Sequence, residues 1–181
     1  MDRPRPVHRG RRPRPRAGGA GGTVLRVPPH EDDWPERVAA HVSREPTCRG
    51  VVWLSAPAED GTAACSPVAG PLRLVQALPA SATRLFLVTS GAQSVHDKDA
   101  TTDPFAASLW GFGRAAAAER PELRCRLVDL DSDAFASTGL LPAGVLADEL
   151  THDGLEEVAL RGGDRYERAL ERAGPVPRCT T

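Results

Sequence analysis

The sequence is poor in the residues that usually announce chemistry. It holds four cysteines, one tyrosine, one lysine and one methionine in 181 residues, and aromatic side chains make up 4%. Cys48, Cys65, Cys125 and Cys179 lie far apart with no C-x-x-C, so metal-ligand spacing is missing. A disulfide framework is not expected in a chain long enough to bury a real core, and reduced thiols in a cytoplasmic protein are the expectation. No apolar run approaches the length of a membrane span, and no secretory apolar core follows the first arginines. No serine stands in a G-x-S-x-G elbow, and no G-x-x-x-x-G-K-[ST] loop is present.

Charge is unevenly spread. The formal net charge is -1, yet residues 1–22 carry seven arginines (Arg3, Arg5, Arg9, Arg11, Arg12, Arg14, Arg16) against Asp2 alone. That tract is rich in proline and glycine and almost without large apolar side chains, so a disordered tail is expected. Its bland reading is a solvated tail. An arm for nucleic acid would want interleaved aromatics, which it lacks, so no nucleic-acid partner is expected. Runs of Arg, Pro, Gly and Ala are also what GC-rich DNA yields out of frame.

From Thr23 to residue 174 the chain alternates between strand-like and helix-like pieces. Thr23–Val27 reads as a short strand, and Asp32 or Asp33 can cap a helix to Arg44 with Val38, Ala39 and Val42 on one face. Val51–Leu54 is an apolar run suited to burial on both sides. A helix near Leu72–Leu78 and a strand at Arg84–Ser90 follow. Gln93–Thr102 is polar and loop-like. Asp103 followed by Pro104 is a strong helix start, and that helix should run to Glu119 and stop before Pro121. Arg126–Leu130 reads as a strand and Ala143–Leu150 as a helix. Glu157–Leu160 and Tyr166–Leu170 suit a closing hairpin across Gly162-Gly163-Asp164, although Ala169–Ala173 also suits a helix. Residues 175–181 form a C-terminal tail. The order gives an α/β fold with a parallel sheet flanked by helices.

The most suggestive letters are Gly111, Gly113 and Ala116, a G-x-G-x-x-A followed by Asp129 and Asp131. A dinucleotide site needs such glycines in the turn between a strand's end and a helix's start, where backbone N–H groups face the pyrophosphate. Here they fall inside the helix that starts at Asp103-Pro104. Two mid-helix glycines cost about 1 kcal/mol each against alanine, and close packing supplies a reason without a ligand. Asp129 and Asp131 then read as strand-end or loop acids of the unpaired kind. A cofactor role for Gly111, Gly113 and Asp129 stays open as the alternative. Reductase chemistry of the tyrosine–lysine kind is not supported, because Tyr166 is followed four residues on by Leu170, and Lys98 sits in a polar loop. His30-Glu31-Asp32-Asp33 reads as a charged helix entry, His152-Asp153 as a solvated turn, and Trp34, Trp53 and Trp110 as packing residues.

The stretch DPFAASLWGFGRAAAAERPELRCRLVDLD resembles a signature of bacterial modular type I polyketide synthases, just ahead of their catalytic ketoreductase. The pattern P-x-x-A-x-x-W-G-x-G-R-x-x-x-x-E-x-P-x-x-x-x-x-L-V-D-L is met by Pro104, Ala107, Trp110, Gly111, Gly113, Arg114, Glu119, Pro121, Leu127, Val128, Asp129 and Leu130. RLFLVTSGAQSV and EEVALRGGDRYERALERA resemble flanking segments of that family, the second with an arginine-bearing strand. The resemblance implies a truncated Rossmann-like structural subdomain that binds no cofactor and braces a catalytic half. That half would use NADPH to reduce a β-ketoacyl chain held on an acyl carrier protein. It opens with T-G-G-T-G-x-L-G and supplies Ser, Tyr and Lys, none of which follows here, so the chain is not expected to turn over alone. Its implied partners are the catalytic subdomain directly and the acyl carrier protein indirectly. A strand and helix of the family ahead of Thr23 are replaced by the arginine-proline tract. A stand-alone nucleotide-binding protein and a partner-docking module are the competing readings.

Overall fold

A computed structural model describes residues 32–55, 66–80, 84–96, 99, 103–131, 143–152 and 157–169. Helix α1 (Trp34–Arg44) follows Asp33, and Pro35 stands in its first turn. Strand β1 (Gly50–Leu54), helix α2 (Ala69–Ala77) and strand β2 (Arg84–Ser90) come next. Helix α3 (Pro104–Glu119), a 3-10 turn (Pro121–Leu123) and strand β3 (Arg126–Leu130) follow. Helix α4 (Ala143–Thr151) and strands β4 (Glu157–Arg161) and β5 (Asp164–Glu167) complete the described elements. The expected strand at Thr23–Val27, Lys98, the Ala169–Ala173 alternative beyond residue 169, and both tails lie outside the described residues.

The strands form one sheet in the order β1-β2-β3-β4-β5, so each pairs with its neighbour in sequence. β1 to β4 are parallel, with Val52 opposite Phe86, Val88 opposite Val128 and Val128 opposite Val158. β5 turns back antiparallel across Gly162 and Gly163, both at positive φ, as the glycine pair required.

Alternation along the strands splits the core into two layers. Leu85, Leu87 and Leu127 face α1, α2 and α3, where Val42, Leu74, Val75, Ala106 and Trp110 meet them. Val88, Val128, Leu130, Val158 and Leu160 face the other way and are covered by Leu146 of α4. β2 and β3 are buried on both faces for this reason. β1 is not. Val52 and Leu54 are 38% and 48% exposed, which corrects the expectation of burial on both sides. The described helix on that face packs over β3 and β4, and β1 is the edge of the described sheet.

Helices α3 and α4 lie on opposite faces of the sheet.

Candidate functional site

Gly111 and Gly113 lie in the middle of α3. The helix forms there because Asp103 accepts a hydrogen bond from the Phe105 N–H (2.9 Å) and Pro104 occupies the first turn. Ala106, Leu109, Trp110, Gly113 and Ala116 make its buried stripe. The two glycines have different surroundings. A Cβ on Gly113 would stand 2.3 Å from Leu127 Cδ2 and 3.0 Å from Leu87 Cδ1, so this glycine lets the helix lie close on β2 and β3. A Cβ on Gly111 would meet nothing within 4 Å. Close packing thus accounts for Gly113 and does not account for Gly111.

Asp129 is the centre of the site, and the expectation of an unpaired strand-end acid is corrected. It lies within β3 with 0% exposure. Its Oδ1 accepts from the Thr89 hydroxyl (2.6 Å) and the Ala92 N–H (2.8 Å). Its Oδ2 accepts from the Gln93 N–H (3.0 Å) and from Arg161 Nη2 (2.5 Å). The same Arg161, buried on β4, donates to the carbonyls of Gln93 (2.6 Å) and Asp129 (3.1 Å). The indole N–H of Trp110 donates to Thr89 Oγ1 (3.0 Å). One chain of contacts, Trp110–Thr89–Asp129–Arg161, therefore joins α3, β2, β3 and β4. A buried carboxylate without such partners would cost several kcal/mol, and with them it fixes the strands in register. Asp131, one step past the strand, accepts from the Gly162 N–H (3.3 Å).

Sequence reasoning named Trp110 and Asp129 but not the role of Arg161 or Thr89. Arg161 is 32 residues from Asp129. The available signal was an arginine in an otherwise apolar strand, VALR, where a charge needs a partner.

Further arginines tie α3 to its neighbours. Arg114 grips Glu157 with two hydrogen bonds (2.8 and 2.9 Å) and lies 5.7 Å from the Trp110 ring. Arg168 reaches the same carboxylate (3.3 Å). Arg120, paired with Glu122, donates to the Val75 (2.8 Å) and Leu78 (3.1 Å) carbonyls and so ties the end of α2 to the end of α3. Glu119 is exposed in the last turn of α3, and Pro121 opens the 3-10 turn that follows.

Tyr166 lies on β5, with its hydroxyl 2.9 Å from His96 Nε2 and its ring edge-on to the imidazole. With Trp110, Gln93 and Arg168 it lines an open cleft of about 240 Å³. Among the described residues no group of three His, Cys, Asp or Glu could hold a metal ion, and no helix is long and apolar enough to cross a membrane.

Two carboxylates near this cleft titrate low. Burial pushes the Asp99 carboxyl up, but the N–H groups of Val95 (2.7 Å) and His96 (3.0 Å) and the Arg161 charge outweigh it. The hydrogen bonds from Arg114 hold Glu157 below the ordinary range against the effect of burial, and Arg168 adds to them. A carboxyl whose pKa is lower in the folded than in the unfolded state stabilises the fold fully above the unfolded value of about 4. The contribution is lost as pH falls through the folded value. Urea midpoints should therefore fall as pH drops from about 6 to about 3, and Glu157→Gln should flatten that acid limb. An identical acid limb in the variant would show that Glu157 plays no part.

The family described as polyketide synthase extender module SpnB, Rossmann fold domain, matches residues 6–170. Polyketide synthase GfsA of Streptomyces halstedii is 36% identical over 168 residues, covering 87% of this chain and 2% of its own length. The pikromycin polyketide synthase component PikAII of Streptomyces venezuelae is 42% identical over 104 residues, covering 56% of the chain and 3% of its own length. This chain thus spans a very small part of the curated relatives it matches. Among solved structures, a C2-type ketoreductase from a modular polyketide synthase aligns with TM-score 0.55 and 32% identity. The alignment covers 72% of this chain and 30% of that one. An A-type ketoreductase from a modular polyketide synthase aligns with TM-score 0.58 and 28% identity, over 80% of this chain and 31% of that one.

Proposed function

The chain belongs to the Rossmann-fold domains of polyketide synthase extender modules, in their ketoreductase region, and from that membership we propose that it is a bracing subdomain without a cofactor site. In this reading it supports a catalytic half that reduces a β-ketoacyl chain on an acyl carrier protein with NADPH. One observation carries the reading. A nucleotide-binding Rossmann unit keeps the backbone N–H groups beyond its strand ends open for phosphate. Here the N–H groups of Ala92 and Gln93, at the end of β2, are already bonded to Asp129.

The helical glycines do not supply a replacement cradle. Gly113 has Leu127 where a phosphate would have to approach, and Gly111 is enclosed by helical backbone on both sides in sequence. NADPH does not fit this donor set. What the residues here supply is order: Arg161 and Asp129 lock β3 to β4, and Trp110 locks α3 to β2.

Two measurements test the proposal. NADPH at millimolar concentration should leave the thermal midpoint and the nucleotide fluorescence unchanged; micromolar binding would overturn the cofactor-free reading. A separately expressed catalytic half of a related ketoreductase should be stabilised when this chain is added. Failure to co-elute or to stabilise any such half would remove the bracing role while leaving the family assignment intact.

A further inference from the structure

The two edges of the described sheet are built differently. β5 carries Asp164, Arg165 and Glu167 in its short length, and charges on an edge discourage another strand from pairing there. β1 carries no charge and no proline, and among the described residues no strand lies on its outer side. Val52 and Leu54 are exposed on one face of β1, and Val51 and Trp53 are only half-buried on the other. Such an edge invites a neighbour.

Helix α1 fixes the side from which a neighbour comes. It lies on the same face as α2 and α3 and packs beside α2. The β1–α2–β2 and β2–α3–β3 units both step across the sheet in one direction with their helices on that face. A parallel strand that enters α1 with the same hand therefore lies on the side of β1 away from β2. The running direction is set as well. Trp34, the first residue of α1, meets Trp53 near the carboxyl end of β1, with ring centroids 5.9 Å apart. Arg73 of α2 bonds the Asp32 carbonyl just ahead of it. The chain thus enters α1 at the carboxyl end of β1, where a parallel strand would deliver it.

We propose that residues 23–27, TVLRV, occupy the open edge of β1 as a sixth strand parallel to it. Residues 28–33 join this segment to α1, and strand-to-helix links of that length are usual. The family match begins at residue 6, so it runs through this segment rather than starting at α1. Alternation then assigns the side chains. Leu25 and Val27, the apolar pair, take the face covered by α1 beside Val51 and Trp53. Arg26 turns to the open face beside Val52 and Leu54, where water can reach it.

Hydrogen exchange of the full chain, followed by mass spectrometry, tests the pairing. Amides of residues 24–27 should exchange about a hundredfold or more slower than in a free peptide of the same sequence. Leu25→Asp should abolish that protection and lower it in β1, while β3 keeps its own; Arg26→Gln should leave all three unchanged. If Leu25→Asp unfolds the chain, seen as lost protection in β3, the milder Leu25→Ala is read instead. Residues 24–27 exchanging at the free-peptide rate in the unmodified chain overturn the proposal. So does protection of β1 that is indifferent to substitution at Leu25. A dimer by light scattering, whose dilution to monomer strips protection from β1 and not from residues 24–27, also overturns it, since a second copy would then hold the edge.

Discussion

Asp129→Asn is expected to unfold this chain or bring it close to unfolding. The change keeps the shape but removes the charge, leaving Arg161, buried at 7% exposure, with the more distant Asp99 (3.6 Å) as its remaining counter-ion among the described residues. The new amide also presents N–H where Oδ1 or Oδ2 now accepts two donors each. Breaking one side of a buried ion pair costs about 3–5 kcal/mol, against a total stability of about 5–15 kcal/mol for a domain. Urea denaturation followed by circular dichroism measures it. Adding Arg161→Met should recover part of the loss, because the stranded charge goes too. A midpoint for Asp129→Asn equal to wild type would show that the buried network contributes little.

The second large effect separates two neighbours in one helix. Gly113→Ala should destabilise, since its Cβ would stand 2.3 Å from Leu127 Cδ2 in a layer where Leu127 is 3% exposed. Overpacking of that kind costs about 1–3 kcal/mol and outweighs the gain of about 1 kcal/mol in helix propensity. Gly111→Ala should do the reverse and stabilise by up to about 1 kcal/mol, because nothing lies within 4 Å of the added carbon. Thermal midpoints moving in the same direction in both variants would contradict this placement of α3 on the sheet.

The same pair shows what could be read before any coordinates. The helix from Asp103-Pro104 to Glu119 was legible because its start is chemical: a carboxylate cap and a residue that has no N–H to waste. Its buried stripe, Ala106, Leu109, Trp110, Gly113 and Ala116, has helical spacing, so the phase that separates Gly113 from Gly111 was also in the sequence. β2 and β3 were legible as apolar runs of strand length. β1 looked the same by that criterion, and only the order of strands in the sheet reveals that Val52 and Leu54 lie on its edge. Asp129 misled for a related reason. Local pattern places a carboxylate near a strand end, where water is the usual partner, and cannot show that Arg161 arrives from another strand. The three-segment resemblance supplied what periodicity lacked, since it pointed to a closing strand that carries an arginine.

The strictly sequential order β1-β2-β3-β4-β5 has a kinetic consequence. Among the described residues every strand pairs only with the strand made just before or just after it, so no contact in the sheet waits for a distant part of the chain. Such a topology limits each parallel pairing to the closure of a single crossover and lets pairing proceed in the order of synthesis. The relatives it matches are long enough that this unit is a few per cent of their length or less in the examples given. On a ribosome making so long a chain, a sheet that zips as it emerges spends little time with an open edge exposed to its neighbours.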